Sequence, residues 1–304
     1  MESVLIMGGS DFIGKSLAKH FIKHQHKVDV LTTGRVDYEG VNRHFSCDRK
    51  NIEELEKALK DNEYTYIYDM TVFLKSEIED LFKKYVVLSA SVVYKESEKY
   101  ISEDGEKELN PAYGKYGIEK VQAEHYIIDS DIPYIIIRPT HIYGPENNLY
   151  RETYFFDRIR EGKAIPVPSD RNEQVLNQFI YIDDFVRVLY SLTKNDKVRE
   201  IYNVSTPQNI TWKKFIETCG EVMGKEPIIK YVDSDKIKIK ERSYFPFKNT
   251  SCILEIEKLR DHGLYIPNIL LEKGLRKTYE WYIKKKPRMN DEKMVEVEQV
   301  LKIV

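Results

Sequence analysis

Short apolar runs alternate with longer stretches whose apolar residues recur every three or four positions over the first 140 residues. Val4-Leu5-Ile6-Met7 is one such run, stopped by Gly8-Gly9, and Phe12, Ile13, Leu17, Phe21 and Ile22 then share one stripe of a helix over 12–25. Strands are predicted at 28–31, ended by Thr32-Thr33-Gly34, and at 44–47. Asn51 is placed to cap a helix over 52–59. Strands four and five read as 64–70 and 85–90, with a short helix over 76–84 between them. A helix over 113–130 leads to a sixth strand, 134–137, ended by Arg138-Pro139. Strands that are apolar at nearly every position need cover on both faces, which a parallel sheet with helices on either side supplies.

After Pro145 the rhythm changes. Helices are predicted over 154–160, over 184–193 and over 211–223, the last capped by Thr211. Strands are predicted at 177–182 and 201–204, the two-proline segment 162–168 reads as a loop or edge strand, and a further helix spans about 270–283. The expected fold class is α/β, a Rossmann-type doubly wound parallel sheet with a smaller C-terminal α/β lobe. The division runs 1–145 for the first domain, with a contribution from about 177–205, then 146–285 for the smaller lobe and 286–304 for a charged helical tail.

Composition narrows the class without naming an activity. The chain has 304 residues, enough for one large core or a core and a smaller lobe. Its 32% charged residues cancel to a net charge of −2, so nothing predicts a nucleic-acid footprint. Cys47, Cys219 and Cys252 are odd in number and far apart, without zinc spacing, which suits a reducing compartment; no metal site is expected. No segment reads as a signal peptide or a membrane span, so a cytoplasmic location is expected.

Three segments carry candidate chemistry. Gly8-Gly9-Ser10-Asp11-Phe12-Ile13-Gly14 lies between the first strand and the first helix, where glycines let a backbone approach a diphosphate and the helix start attracts its charge. Tyr116 and Lys120 are four apart on a predicted helix and so share a face. A phenol is a poor base at neutral pH, and a neighbouring ammonium lowers the cost of its phenolate. The spacing recurs at Tyr190/Lys194, Tyr244/Lys248 and Tyr282/Lys286, and Tyr113 is a nearby rival; position between strands five and six selects Tyr116. The third segment is Arg138-Pro139-Thr140-His141-Ile142-Tyr143-Gly144-Pro145.

Together these resemble the extended short-chain dehydrogenase/reductase superfamily, the nucleotide-sugar epimerases and dehydratases, over about residues 3–285. The resemblance implies a Tyr/Lys-assisted proton transfer, NAD or NADP as cofactor, and a nucleotide sugar as substrate. Asp11 stands where the fingerprint has its middle glycine. The second strand ends in Arg35 rather than an acid, which favours NADP over NAD, and Asp48 matches the residue that contacts adenine. The strand-five hydroxyl of relatives falls on Ala90, leaving Ser91, with Ser89 on its other side, as the candidate. His141 replaces an asparagine that helps to hold the substrate diphosphate, and acts either as a donor there or as an acid–base group. Gln178 begins the segment that resembles R-x-F-I-Y-V-D-D, where relatives carry a cation. Arg151 is the substitute cation chosen from Arg151, Arg158 and Arg160. Family members often form homodimers through the helix that here carries Tyr116.

The turn and the short stretch between strands four and five resemble the atypical branch, which includes chloroplast stem-loop RNA-binding proteins. Two readings therefore stand. The favoured one is an NAD(P)-dependent enzyme acting on a nucleotide sugar. The other is a binding protein, for nucleotide or RNA, that kept the fold and lost the chemistry.

Overall fold

The computed structural model describes residues 2–48, 50–60, 62–71, 82–97, 99–109, 114–169 and 175–304. From the N-terminus come β1 (Ser3–Met7), α1 (Phe12–Lys23), β2 (Lys27–Thr32), β3 (Arg43–Ser46), α2 (Ile52–Leu59), β4 (Tyr64–Asp69), β5 (Phe82–Leu88), α3 (Gly114–Asp129) and β6 (Tyr134–Pro139). Then follow β7 (His141–Tyr143), α4 (Glu152–Arg160), β8 (Ile165–Pro168), β9 (Phe179–Tyr181), α5 (Ile182–Ser191), β10 (Glu200–Val204) and α6 (Trp212–Met223). The chain ends with β11 (Ile229–Val232), α7 (Ser234–Ile237), α8 (Glu241–Tyr244), α9 (Glu257–Asp261), α10 (Leu271–Lys285) and α11 (Asp291–Leu301).

Seven strands form one parallel sheet in the order β10-β6-β5-β4-β1-β2-β3, the doubly wound α/β arrangement. The unbroken apolar runs follow from its burial on both faces. Val4 and Ile6 of β1 join Leu17 and Phe21 of α1 and Phe185 and Leu189 of α5 on one face. Leu5 and Met7 join Leu55 and Leu59 of α2 and Ile127 of α3 on the other. Strand order reverses at β1, between β2 and β4, and the crevice beyond the C-terminal ends of those strands is where such sheets bind ligands.

Two parallel pairs lie outside this sheet: β7 with β9 and β8 with β11. Of the short helix expected over 76–84, residues 76–81 lie outside the described residues and Phe82–Lys84 are strand, the start of β5. Tyr113 also lies outside them. The helix expected beyond Pro287 forms as α11 and docks through Met294, Val297 and Val300, all buried. Among the described residues, no helix is long and apolar enough to cross a membrane.

Candidate functional site

The turn after β1 is shaped by backbone contact. Gly8 has φ +87° and donates its N–H to Leu31 O at 2.8 Å. A Cβ on Gly14 would sit 2.1 Å from Gly8 O, so only glycine lets α1 start this close to the turn. Ser10 Oγ and Thr32 Oγ1 are 2.8 Å apart, which ties the turn to the end of β2. Phe12 is buried and Ile13 packs against the core below. The cradle therefore fits a dinucleotide diphosphate in shape.

Its charge is less simple. Asp11 caps α1: its Oδ1 accepts the Phe12 N–H at 2.9 Å, and its Oδ2 accepts from Asn148 Nδ2 at 2.8 Å. The carboxylate thus stabilises the helix start while occupying a donor there that an anion would use. Lys15, one turn into α1, pairs with Asp37 at 3.0 Å and Glu146 at 2.8 Å.

Beside the turn, Met7, Gly8, Thr32, Asp48, Lys50 and Thr71 line a cavity of about 290 Å³ at the strand-order reversal. Asp48 is exposed there and holds itself by accepting the Lys50 N–H at 3.0 Å. Arg35 is exposed beyond the end of β2.

Helix α3 supplies the phenol and the ammonium. Lys120 is buried, and its Nζ donates to Leu88 O at the end of β5 at 2.6 Å while lying 5.5 Å from the Tyr116 ring centre. Tyr116 is 52% exposed, and its hydroxyl makes no hydrogen bond among the described residues. Desolvation nevertheless pushes its pKa above 10, and Arg151 pulls in the opposite direction. Ser91 begins a single 3-10 turn after Ala90, and while burial raises the pKa of the Cys252 thiol, Ser91 lowers it by less. Ser89 is turned into the core, where its Oγ donates to Glu124 at 2.5 Å.

The other wall comes from the β7–β9 pair, in register His141 with Phe179. His141 packs among Phe179, Trp212 and Phe247, and its Nε2 lies 3.2 Å from Asn177 Oδ1. Burial lowers its pKa to about 3, helped by Arg151, so the imidazole is neutral at physiological pH. Unfolding would restore an ordinary value near 6.5, so the unfolded chain takes up this proton first and stability falls as pH drops from about 6.5 towards 3. His141→Asn should flatten that fall, measured as denaturant midpoints at pH 7 and pH 4.5.

A family model described as "NAD dependent epimerase/dehydratase family" matches residues 4–79 and 70–205. The chain belongs to that family. Similar curated proteins include the chloroplast stem-loop binding protein of 41 kDa b of Arabidopsis thaliana, 25% identical, covering 91% of this chain and 78% of that one. Human dTDP-D-glucose 4,6-dehydratase is 24% identical, covering 92% and 90%. Among solved structures, a UDP-glucose 4-epimerase of Thermotoga maritima with UDP-glucose superposes with a TM-score of 0.76 at 20% identity, covering 94% of this chain and all of that one. That likeness concerns the fold.

Within the family frame, two substrate-side expectations change. Gln178 is fully buried, its Oε1 taken by Leu254 N–H at 2.9 Å and its Nε2 shared between Asn209 Oδ1 and Leu254 O at 3.3 Å. It has nothing to offer a ligand. Counted back two from Phe179, the motif's cation position is Asn177, which meets His141, while Gln178 turns to Leu254. Asn177 is the residue the sequence reading missed, although the motif's own spacing pointed to it. Of the three arginines, Arg158 is buried on Ala164 O and Glu298, and Arg160 pairs with Asp157. Arg151 instead lies over the Phe247 ring at 5.2 Å and acts on both Tyr116 and His141.

Proposed function

We propose that the protein is an NAD(P)-dependent enzyme that oxidises or reduces a carbon of a nucleotide sugar, with Tyr116 and Lys120 handling the proton. The observation that carries this is the Tyr116/Lys120 pair on α3, with Lys120 Nζ 5.5 Å from the Tyr116 ring centre and the Arg151 charge, just before α4, lowering the cost of the phenolate. Gly8, Gly9, Ser10, Ile13 and Gly14 would cradle the dinucleotide diphosphate, and Asp48 would contact its adenine. When bound, the nicotinamide supplies the hydride acceptor and donor.

Tyr116 takes the proton from the substrate hydroxyl and returns it. Lys120 makes the phenolate less costly, and Ser91 steadies the reacting oxygen. Arg151 and Asn177 meet the substrate phosphates, with neutral His141 as a hydrogen-bonding neighbour. Arg35 and Lys50, with no acid at the end of β2, support NADP over NAD.

Titration of NADPH and NADH by fluorescence tests the reading: both should bind, NADPH more tightly, and an absence of binding at millimolar cofactor would end it. Asp11→Asn keeps a good helix cap but removes a negative charge beside the diphosphate. It should tighten NADPH roughly fivefold, about 1 kcal/mol, the scale of one unit-charge contact in water, because Asp11 is exposed. An unchanged affinity would mean that the Asp11 carboxylate swings clear when the cofactor enters. The binding-only alternative draws on Asp11 and Ala90, and it predicts cofactor binding without turnover.

A further inference from the structure

The segment between β7 and α4, residues 144–151, reaches both sides of the candidate site. On one side Asn148 donates to Asp11 Oδ2 at 2.8 Å and Glu146 pairs with Lys15 at 2.8 Å, which ties the segment to the cofactor turn and to α1. On the other side the Arg151 guanidinium lies 5.2 Å from the Phe247 ring centre, and that ring packs 5.0 Å from the His141 ring. A loop without regular structure that must meet two fixed places needs an anchor of its own.

Glu152 supplies the anchor. It opens α4 and is 1% exposed. Its Oε1 accepts the Gly144 N–H at 2.9 Å and Asn147 Nδ2 at 3.0 Å, and its Oε2 lies 3.1 Å from the same Nδ2. The Asn147 amide is set in that sense, because its Oδ1 accepts the Leu149 N–H at 3.0 Å. One carboxylate therefore closes the loop from the residue after β7 to the first residue of α4. Burial raises the pKa of this acid above 4.5, and the Gly144 and Asn147 bonds pull it back. The donors that make the buried acid tolerable are the loop's own, so the burial of Glu152 and the path of the loop depend on each other.

We infer that Glu152 is a positioning residue: by gathering Gly144 and Asn147 it holds residues 144–151 in the path that sets Arg151 beside Phe247 and Asn148 on the cofactor turn, and it acts on Tyr116 only through Arg151. The inference rests on the reading of Tyr116 as the acting phenol. Burial raises the Tyr116 pKa and the Arg151 charge opposes that rise. The two routes by which Glu152 could reach Tyr116 therefore differ in sign. Direct loss of a nearby anion makes the phenolate easier to form and lowers the titration midpoint. Loss of the place of Arg151 makes it harder to form and raises the midpoint. A role confined to stability moves it in neither direction.

Fluorine NMR of the full chain labelled with 3-fluorotyrosine reads that midpoint without cofactor or turnover. The Tyr116 resonance is the one missing from Tyr116→Phe. Its midpoint should rise by roughly half a pH unit in Arg151→Met, the scale of one unit charge acting through water, and by a similar amount in Glu152→Ala. Asn147→Ala leaves Glu152 its Gly144 bond and should give a smaller rise; it decides alone if Glu152→Ala does not fold. A midpoint that is unmoved or lowered in the folded loop variants overturns the inference, and so does one unmoved in Arg151→Met. NADPH titration of the unmodified protein separates this failure from the other. Without binding, the enzymatic reading ends and the positioning role ends with it; with binding, an unmoved Tyr116 removes only the role of Glu152.

Discussion

Tyr116→Phe is expected to lower turnover by roughly 10²–10⁴-fold, the range for loss of a general acid–base group, while NADPH affinity stays within about threefold. The substitution removes one oxygen. The ring that Lys120 approaches at 5.5 Å remains, and Lys120 keeps its bond to Leu88 O. The cofactor cradle, built from the turn after β1, is not touched. Because the phenol acts deprotonated and burial raises its pKa, turnover should climb as pH rises. Removing the opposing charge with Arg151→Met should move that climb to higher pH. Steady-state rates across pH, together with fluorescence titration of NADPH, check both statements. Turnover retained in Tyr116→Phe would take Tyr116 out of the mechanism.

The fold could be read from the sequence where burial dictates residue type. Strands covered on both faces favour apolar side chains, with a buried charge such as Asp29 of β2 or Arg138 of β6 as the paired exception, so β1, β2 and β6 show as largely apolar runs, and α1 and α6 show as stripes. The turn glycines were readable for a related reason: Gly14 has no alternative when its Cβ would strike Gly8 O. Tyr116 and Lys120 followed from helical spacing and from their place between β5 and β6.

What stayed hidden depends on groups that meet through tertiary structure. Gln178 and Asn177 are adjacent in sequence just before β9, and the fold turns them apart, Asn177 to His141 and Gln178 to Leu254; the motif's spacing marks Asn177, but its partner appears only in the fold. Asp11 illustrates the reverse case. Its departure from the glycine pattern was visible, but its two partners, the Phe12 N–H and Asn148, required the fold.

The largest effect on stability is expected from Glu124→Ala. Glu124 continues the inward stripe of α3 one turn beyond Lys120 and is fully buried. It accepts from Arg138 Nε at 2.9 Å, from Arg138 Nη2 at 2.6 Å and from Ser89 Oγ at 2.5 Å. Arg138 is only 1% exposed and also donates to Tyr94 and to Glu103 O, both at 2.8 Å. These bonds hold its guanidinium in the charged form despite burial. Alanine would leave that charge buried without its carboxylate, a loss of about 3–5 kcal/mol. Against a total stability of about 5–15 kcal/mol, this is a large share, visible as a shifted denaturant midpoint. Replacing both partners, Glu124→Leu with Arg138→Met, should recover much of the loss, because no charge is then stranded. The same pair sets where α3 lies against β5 and β6, and so where Tyr116 and Lys120 stand. The double variant should therefore regain stability before it regains turnover. A loss under about 1 kcal/mol in Glu124→Ala, the scale of an exposed ion pair, would show that water reaches Arg138 and that packing alone anchors the helix.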